Sequence, residues 1–205
     1  SGNVLVMSRT RRFLAIAAHP DDLDFGAAGT TAHLTSEGNE VIYCLTTRGE
    51  AGGSDHSMSR TDMAAVRHRE QTEAASVVGV SELHFLDHPD GALLADLVLR
   101  RELTRVIRQV RPDVVIGQSP ERDLDRIFAS HPDHLATGEA TMCAVYPDSR
   151  NPFAFPELLD DEGLEPHTVP EVWLRAHPRT DFAVDITETF DRKVSALARH
   201  RSQID

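Results

Sequence analysis

Phe13-Leu14-Ala15-Ile16-Ala17-Ala18-His19-Pro20-Asp21-Asp22 is the stretch that decides the fold. Its apolar half shows no polar alternation and is too short for an ordinary helix, so it reads as a strand covered on both faces. Such strands belong to parallel sheets lying between two helical layers. Open sheets of that kind carry their chemistry in the loops at the carboxyl ends of the strands. The loop here, His19-Pro20-Asp21-Asp22, supplies one imidazole and two carboxylates at the end of a rigid element.

The rest of the chain repeats the alternation. Val41 to Leu45, Leu83 to Leu86, Asp113 to Gly117, Val172 to Arg175 and Phe182 to Ile186 read as further strands. Helices are expected over Gly26–Ser36, Thr61–Val78, Leu97–Val110, Leu135–Val145 and Thr189–Arg199, several of them stopped by glycine. Thr46 to Ser59, with Gly49, Gly52 and Gly53, is a loop. Pro147 to Pro170 is acidic and broken by Pro152, Pro156 and Pro166, and reads as a surface excursion or a lid over 147–170. Arg100 to Arg111 mixes both charge signs and reads as a solvated helix face. This pattern predicts one domain over 1–205, an α/β three-layer Rossmann-like sandwich with a mostly parallel sheet. In that strand order the first and fourth strands are neighbours at the point where the winding reverses.

Composition narrows the function. A chain of 205 residues, 40% hydrophobic and 26% charged, is ordinary for a soluble globular protein. Its net charge of −12 argues against nucleic acid or an anionic membrane as partner, because phosphate repels such a surface. No apolar run approaches the roughly 20 residues that span a bilayer, and no signal peptide precedes Arg11-Arg12, so the expected compartment is the cytoplasm. Ser1-Gly2 reads as a cloning remnant. Cys44 and Cys143 fit small buried apolar positions in a reducing compartment. Lys193 is the only lysine, a bias associated with high-GC bacterial genomes.

A second cluster, Ser130-His131-Pro132-Asp133-His134, follows the fourth strand. One His-Pro-Asp is as readily a turn or a helix cap. Two copies after strands expected to be adjacent argue that the loops meet and hold a metal. His19 and Asp22, three apart on a turn, converge, and His134 supplies a third ligand from the opposite loop. Two imidazoles and a carboxylate suit Zn²⁺, and also Fe²⁺ or another divalent ion. Asp21 is then placed as general base for a water activated by the metal. His131 is placed to steady an oxyanion or protonate a leaving amine. Asp133 would orient His131 or support a ligand from behind. Among the other histidines, His33, His68 and His84 take surface or satisfied positions by default, His68 alone of the three being a candidate to face the site, whereas His88 and His177 follow strands and are candidates for the pocket wall. Trp173 is assigned to the core.

At these residues the sequence resembles the PIG-L/LmbE-like metal-dependent de-N-acetylases. Ala18-His19-Pro20-Asp21-Asp22 is similar to the family's first motif and His131-Pro132-Asp133-His134 to its second. Thr47 to Gly52, Arg67-His68-Arg69-Glu70, Pro89-Asp90-Gly91 and His200-Arg201-Ser202-Gln203 corroborate it. The resemblance implies hydrolysis of an acetamide on an N-acetylglucosamine-type sugar, with His19, Asp22 and His134 as zinc ligands, Asp21 as base and His131 as its electrostatic or acid partner. It also implies that Arg67 and Asp90 lie near the sugar hydroxyls. The chain departs from many members in having Leu23 directly after the first motif; Asp24 fits a branch with the acid one position later. The expected partner is a small N-acetylated sugar, with no nucleic acid and no membrane, and a homo-oligomer is compatible with the reading. The alternatives are an amidase acting on a thiol conjugate or natural-product amide, and a non-catalytic metal-containing binding protein. A nucleotide-binding domain would need the G-x-G-x-x-G loop that is replaced here by two carboxylates.

Overall fold

The structure is a computed structural model that describes residues 10–54 and 57–204. Ser1-Gly2 and part of the Thr46–Ser59 loop lie outside the described residues. Strands β1 (Arg12–Ala17), β2 (Glu40–Thr47), β3 (Glu82–His88), β4 (Val114–Gln118) and β5 (Glu171–Arg175) form one sheet in the order β3-β2-β1-β4-β5. Every pairing is parallel, and Phe13 of the central strand stands level with Val41 on one side and Val114 on the other. The expected neighbours, β1 and β4, are therefore in contact.

The apolar run of β1 divides between two cores. Phe13, Ala15 and Ala17 face helices α1 (Asp22–Gly26), α2 (Ala28–Ser36), α3 (Arg60–Val77) and α7 (Phe190–Leu197). Leu14 and Ile16 face α4 (Leu97–Val110) and α5 (Pro132–Val145). Each fully buried aliphatic side chain of this kind contributes about 1.5–3 kcal/mol, which is why the strand without polar alternation is the central one. The remaining helix, α6 (Glu157–Asp160), lies in the segment before β5. No helix among the described residues is long and apolar enough to cross a membrane.

Four details differ from the sequence reading. Phe182–Ile186 is not a strand. Phe182 packs edge-on against Trp173, 5.2 Å between ring centroids, and Ile186 fills the space beside Gly29 of α2. Its alternating apolar residues are spent on covering a sheet face instead of pairing along an edge. The expected helix over Gly26–Ser36 is two helices, α1 and α2, divided at Ala27, whose φ of −142° leaves the helical region. Helix α5 starts at Pro132, ahead of the expected Leu135, because the fixed φ of proline suits a first helical position.

The arginines of α4 are not a solvated face. Arg100 grips Asp148 with two bonds of 3.0 and 2.9 Å, Arg101 reaches Glu157 at 2.5 Å, and Arg105 holds Glu162 with two bonds of 2.7 Å. Arg108, only 2% exposed, donates to the carbonyls of Asp148, Ser149, Asn151 and Ala154. The 147–170 excursion is thus clamped along α4 by acids and carbonyls that lie far away in sequence.

Candidate active site

The loops after β1, β2 and β3 and the amino end of α5 are sewn together around one cavity. The Thr47 amide and hydroxyl both donate to Ala18 O at 2.8 Å, fixing the end of β2 against the start of the first motif. Arg67, buried on α3, donates to Pro20 O and to Gly49 O and pairs with Asp21 Oδ2 at 3.1 Å. Gly49 has φ +67°, and a Cβ there would stand 2.8 Å from Pro20 and as close to the Arg67 guanidinium, so only glycine lets these three meet. The Asp90 amide donates to the Glu50 carboxylate at 3.2 Å, and Asp90 Oδ2 accepts from the Ala51 amide at 3.1 Å.

At the centre stands His19. Its amide donates to Asp22 Oδ2 at 2.8 Å; Nδ1 is 3.3 Å from that oxygen, and Nε2 is 3.2 Å from both Asp90 Oδ1 and Asp133 Oδ2. Burial alone would lower the imidazole's pKa, but the three carboxylates outweigh it and push the pKa up to about 11. Asp22 also reaches His134, whose Nε2 lies 3.1 Å from Asp22 Oδ1. His134 and His19 together hold the Asp22 carboxyl well below the ordinary range against the opposing effect of burial. His134 Nδ1 faces Ala129 O at 3.4 Å, a carbonyl that would accept the ring's Nδ1–H if Nε2 gave its lone pair to a cation.

Asp21 occupies a costly backbone state, φ 94°, where residues other than glycine are rare. Burial pushes its carboxyl up to about 6; Arg67 pulls it down and Asp22 pushes it further up. That range suits a base that must both take and release a proton near neutrality. His131 is the N-cap of α5, and its Nδ1 accepts the Asp133 amide at 3.2 Å. The ring proton of the neutral form therefore sits on Nε2. Burial and the neighbouring His19 charge hold the His131 pKa below its ordinary value. The three imidazoles are 4.9, 5.2 and 5.3 Å apart by ring centroids.

The donor set fits a divalent cation. One ligand atom from each of His19, His131 and His134, and likewise from each of His19, Asp90 and Asp133, lies within 4.8 Å of the others. Asp22 bridges the same His19 and His134. A cavity of about 360 Å³ opens over this cluster, lined by His19, Asp21, Arg67, Asp90, His131 and His134, with Ala51, Gly52, Gly91 and Phe128 completing the wall. None of its lining comes from the 147–170 segment.

The family profile described as PIG-L, GlcNAc-PI de-N-acetylase, matches residues 14–145. The chain belongs to the PIG-L family. These are enzymes that hydrolyse N-acetyl amide bonds. Diacetylchitobiose deacetylase of Thermococcus kodakarensis is 32% identical over 94% of this chain and 70% of its own length. A probable N-acetyl-alpha-D-glucosaminyl L-malate deacetylase 2 of Bacillus cereus is 31% identical over 95% of this chain and 84% of its own. Among solved structures, N,N'-diacetylchitobiose deacetylase from Pyrococcus horikoshii superposes with a TM-score of 0.89 at 33% identity, over 96% of this chain and 72% of that one.

Both motifs of this PIG-L chain meet as the sequence reading expected, since His19, Asp21, His131 and His134 line one cavity and Asp22 bridges His19 and His134. Of the two roles offered for Asp133, orienting His131 or supporting a neighbouring group from behind, its carboxylate makes the contacts of the second, on His19. Its carboxylate accepts from His19 Nε2 and from the Gly91 and Leu93 amides at 2.7 and 3.2 Å. Although burial opposes it, these partners hold Asp133 at about 2. Only its backbone amide orients His131. Arg67 and Asp90 both line the cavity, but their polar atoms are largely taken by the loops and by His19. His88 is paired with Glu102 at 2.6 Å and His177 with Glu121 at 3.4 Å, and neither lines the cavity. Sequence reasoning passed over Gln71, which accepts the Asp21 amide at 2.8 Å. Its one visible signal was its place four residues after Arg67, on the same helix face.

Proposed function

We propose that the protein removes the acetyl group from an N-acetylated amino sugar, such as an N-acetylglucosaminyl glycoside or conjugate, with His19, Asp22 and His134 holding a zinc ion. The observation that carries this reading is the Asp22 carboxylate spanning His19 and His134 across the β1–β4 junction, with Asp21 and His131 both lining the cavity above them. When bound there, a divalent cation supplies Lewis-acid polarisation of the amide carbonyl and lowers the pKa of water beside it.

The chain's own residues do the rest. Asp21 takes the proton as the water oxygen bonds to the acetamide carbon. Arg67 occupies Asp21 Oδ2, so the proton goes to Oδ1. The Nε2–H of His131 donates to the carbonyl oxygen as negative charge builds on it. The C–N bond then breaks as the nitrogen takes the proton held on Asp21, which returns the base to its starting form, and acetate and a free amine leave. In this assignment Arg67 holds Asp21 and the two loop carbonyls, and Asp90 shares its carboxylate between His19 and the wall that meets the sugar. Asp133 keeps the His19 ring in place. The reading takes residues 1–205 as one catalytic domain working in the cytoplasm, a compartment compatible with two unpaired cysteines.

The test is metal analysis of the purified protein followed by acetate release from GlcNAc, GlcNAc-inositol and larger glycosides. Bound zinc and turnover, with Asp21→Asn slower by about 10²–10⁴-fold, are the expected results. Normal acetate release by Asp21→Asn would remove the base assignment. A protein that binds no divalent ion on reconstitution would overturn the whole reading.

A further inference from the structure

We propose that Gln71 is a positioning residue for Asp21, and that Asp24 and His200 fix which way it faces. The inference rests on Asp21 being the base. Gln71, Asp24 and His200 are completely buried, and none of them lines the cavity. Gln71 Oε1 accepts the Asp21 amide at 2.8 Å, Gln71 Nε2 donates to Asp24 Oδ2 at 2.8 Å, and His200 Nε2 meets that same oxygen at 2.8 Å.

The polarity of this chain of bonds runs one way. A glutamine amide has two ends of nearly equal shape and opposite hydrogen-bonding character. A carboxylate oxygen only accepts, so Asp24 draws the Nε2 end of Gln71 toward itself. The carbonyl end is thereby aimed at the Asp21 amide. His200 donates a second bond to the same oxygen from a segment 176 residues further on. The turn that carries it is anchored to α3 by Ser202, which donates to Glu70 through its amide at 2.8 Å and its hydroxyl at 2.6 Å.

Asp21 needs such a hold because its φ of 94° is a conformation that persists only where the surroundings over-determine it. Helix α3 grips it at both ends: Gln71 takes the backbone, and Arg67, one turn earlier, takes the carboxylate. Loosening the backbone bond would let the carboxylate swing without touching the sugar subsite. The effect belongs in kcat.

The experiment is a double-mutant cycle on the metal-loaded enzyme, using Gln71→Met and Asp21→Asn with acetate release as the readout. Gln71→Met should lower kcat about 10–100-fold, with KM within about twofold and metal stoichiometry unchanged. In the Asp21→Asn background it should cost nothing further. His200→Gln, which keeps a donor for Asp24, should stay within about threefold of the parent, whereas His200→Leu should follow Gln71→Met. A loss that multiplies with Asp21→Asn, appears in KM or tracks lost metal would overturn the proposal. So would equal losses in His200→Gln and His200→Leu, a comparison that decides the matter if Gln71→Met does not fold. Full activity in Asp21→Asn alone would remove the base reading, and this inference with it.

Discussion

Replacing Gly138 by alanine sets two effects of opposite sign against each other. Gly138 lies inside α5, one turn beyond His134, where helix propensity alone favours alanine by about 1 kcal/mol. The structure argues the other way. A Cβ at this position would stand 2.7 Å from the Gln118 carbonyl oxygen, 2.9 Å from Pro120 N and 3.0 Å from the Ser119 carbonyl carbon. All three are backbone atoms at the end of β4 and in the two residues after it and cannot rotate aside, so α5 must retreat by roughly half an ångström or more, an overpacking that costs about 1–3 kcal/mol. After subtracting the propensity gain, the net loss reaches about 2 kcal/mol at the upper end, a fall in Tm of roughly 4–8 °C for a domain of this size. The same retreat carries His134 away from Asp22 and His131 away from the cavity. A displacement of that size costs about tenfold in kcat/KM, given that 1 Å costs up to about a hundredfold. Thermal unfolding, zinc titration and acetate release, all on Gly138→Ala, test this together. A raised Tm with unaltered zinc affinity would show that propensity wins and that α5 is not seated against the end of β4.

Arg67→Met leaves two loop carbonyls and Asp21 without their donor, with an expected cost of about 2–4 kcal/mol and at least a hundredfold in kcat/KM; Arg67→Lys should recover little, because an ammonium cannot span three acceptors lying in one fork. Arg108→Met should lower Tm by several degrees and open the 150–165 stretch to limited proteolysis, while leaving kcat/KM of the folded fraction within about twofold. Phe128 stands 73% exposed at the cavity mouth; Phe128→Ala should raise KM for larger glycosides by several-fold and leave free GlcNAc unaffected, and equal effects on both substrates would remove it from the binding wall.

The sheet was legible because β1 is apolar without a break from Phe13 to Ala17, which only a strand between two layers tolerates, and because glycine and proline punctuate the helices. Phe182–Ile186 was not. A segment that lays alternate side chains against Trp173 and α2 has the same sequence signature as a strand, and nothing local says whether its amides are paired. The α4 arginines were misread for a related reason: their partners, Asp148, Glu157 and Glu162, lie some 50 residues later and only the fold brings them across. In the site, the clustered imidazoles and carboxylates were visible as a dense patch next to a strand end. Gln71 and Asp24 were not visible as partners, since a buried glutamine on a helix has no pattern that distinguishes it until the Asp21 amide is seen 2.8 Å away.

Five acid and imidazole groups crowd His19, and the two nitrogens of its ring sort them. Nδ1 lies on the side of Asp22, which in turn touches His134; Nε2 lies on the side of Asp90 and Asp133. A metal-ligating histidine binds through one nitrogen and donates its other N–H to a carboxylate, which fixes the ring and strengthens the ligand. Asp133 is built for the second duty: two backbone amides already hold its charge, and it is fully buried. The proposed assignment accordingly puts the cation on the Nδ1 side with Asp22 and His134, and Asp133 behind the ring. Zinc added at about a hundred times its Kd should then stabilise the parent by about 2.7 kcal/mol, and chelation should reverse the shift. Asp22→Ala should abolish that stabilisation, whereas Asp133→Ala should weaken zinc binding by only about 10–100-fold. The opposite ranking, with Asp133 indispensable and Asp22 merely helpful, would place the ion among His19, Asp90 and Asp133 and leave Asp22 as the support.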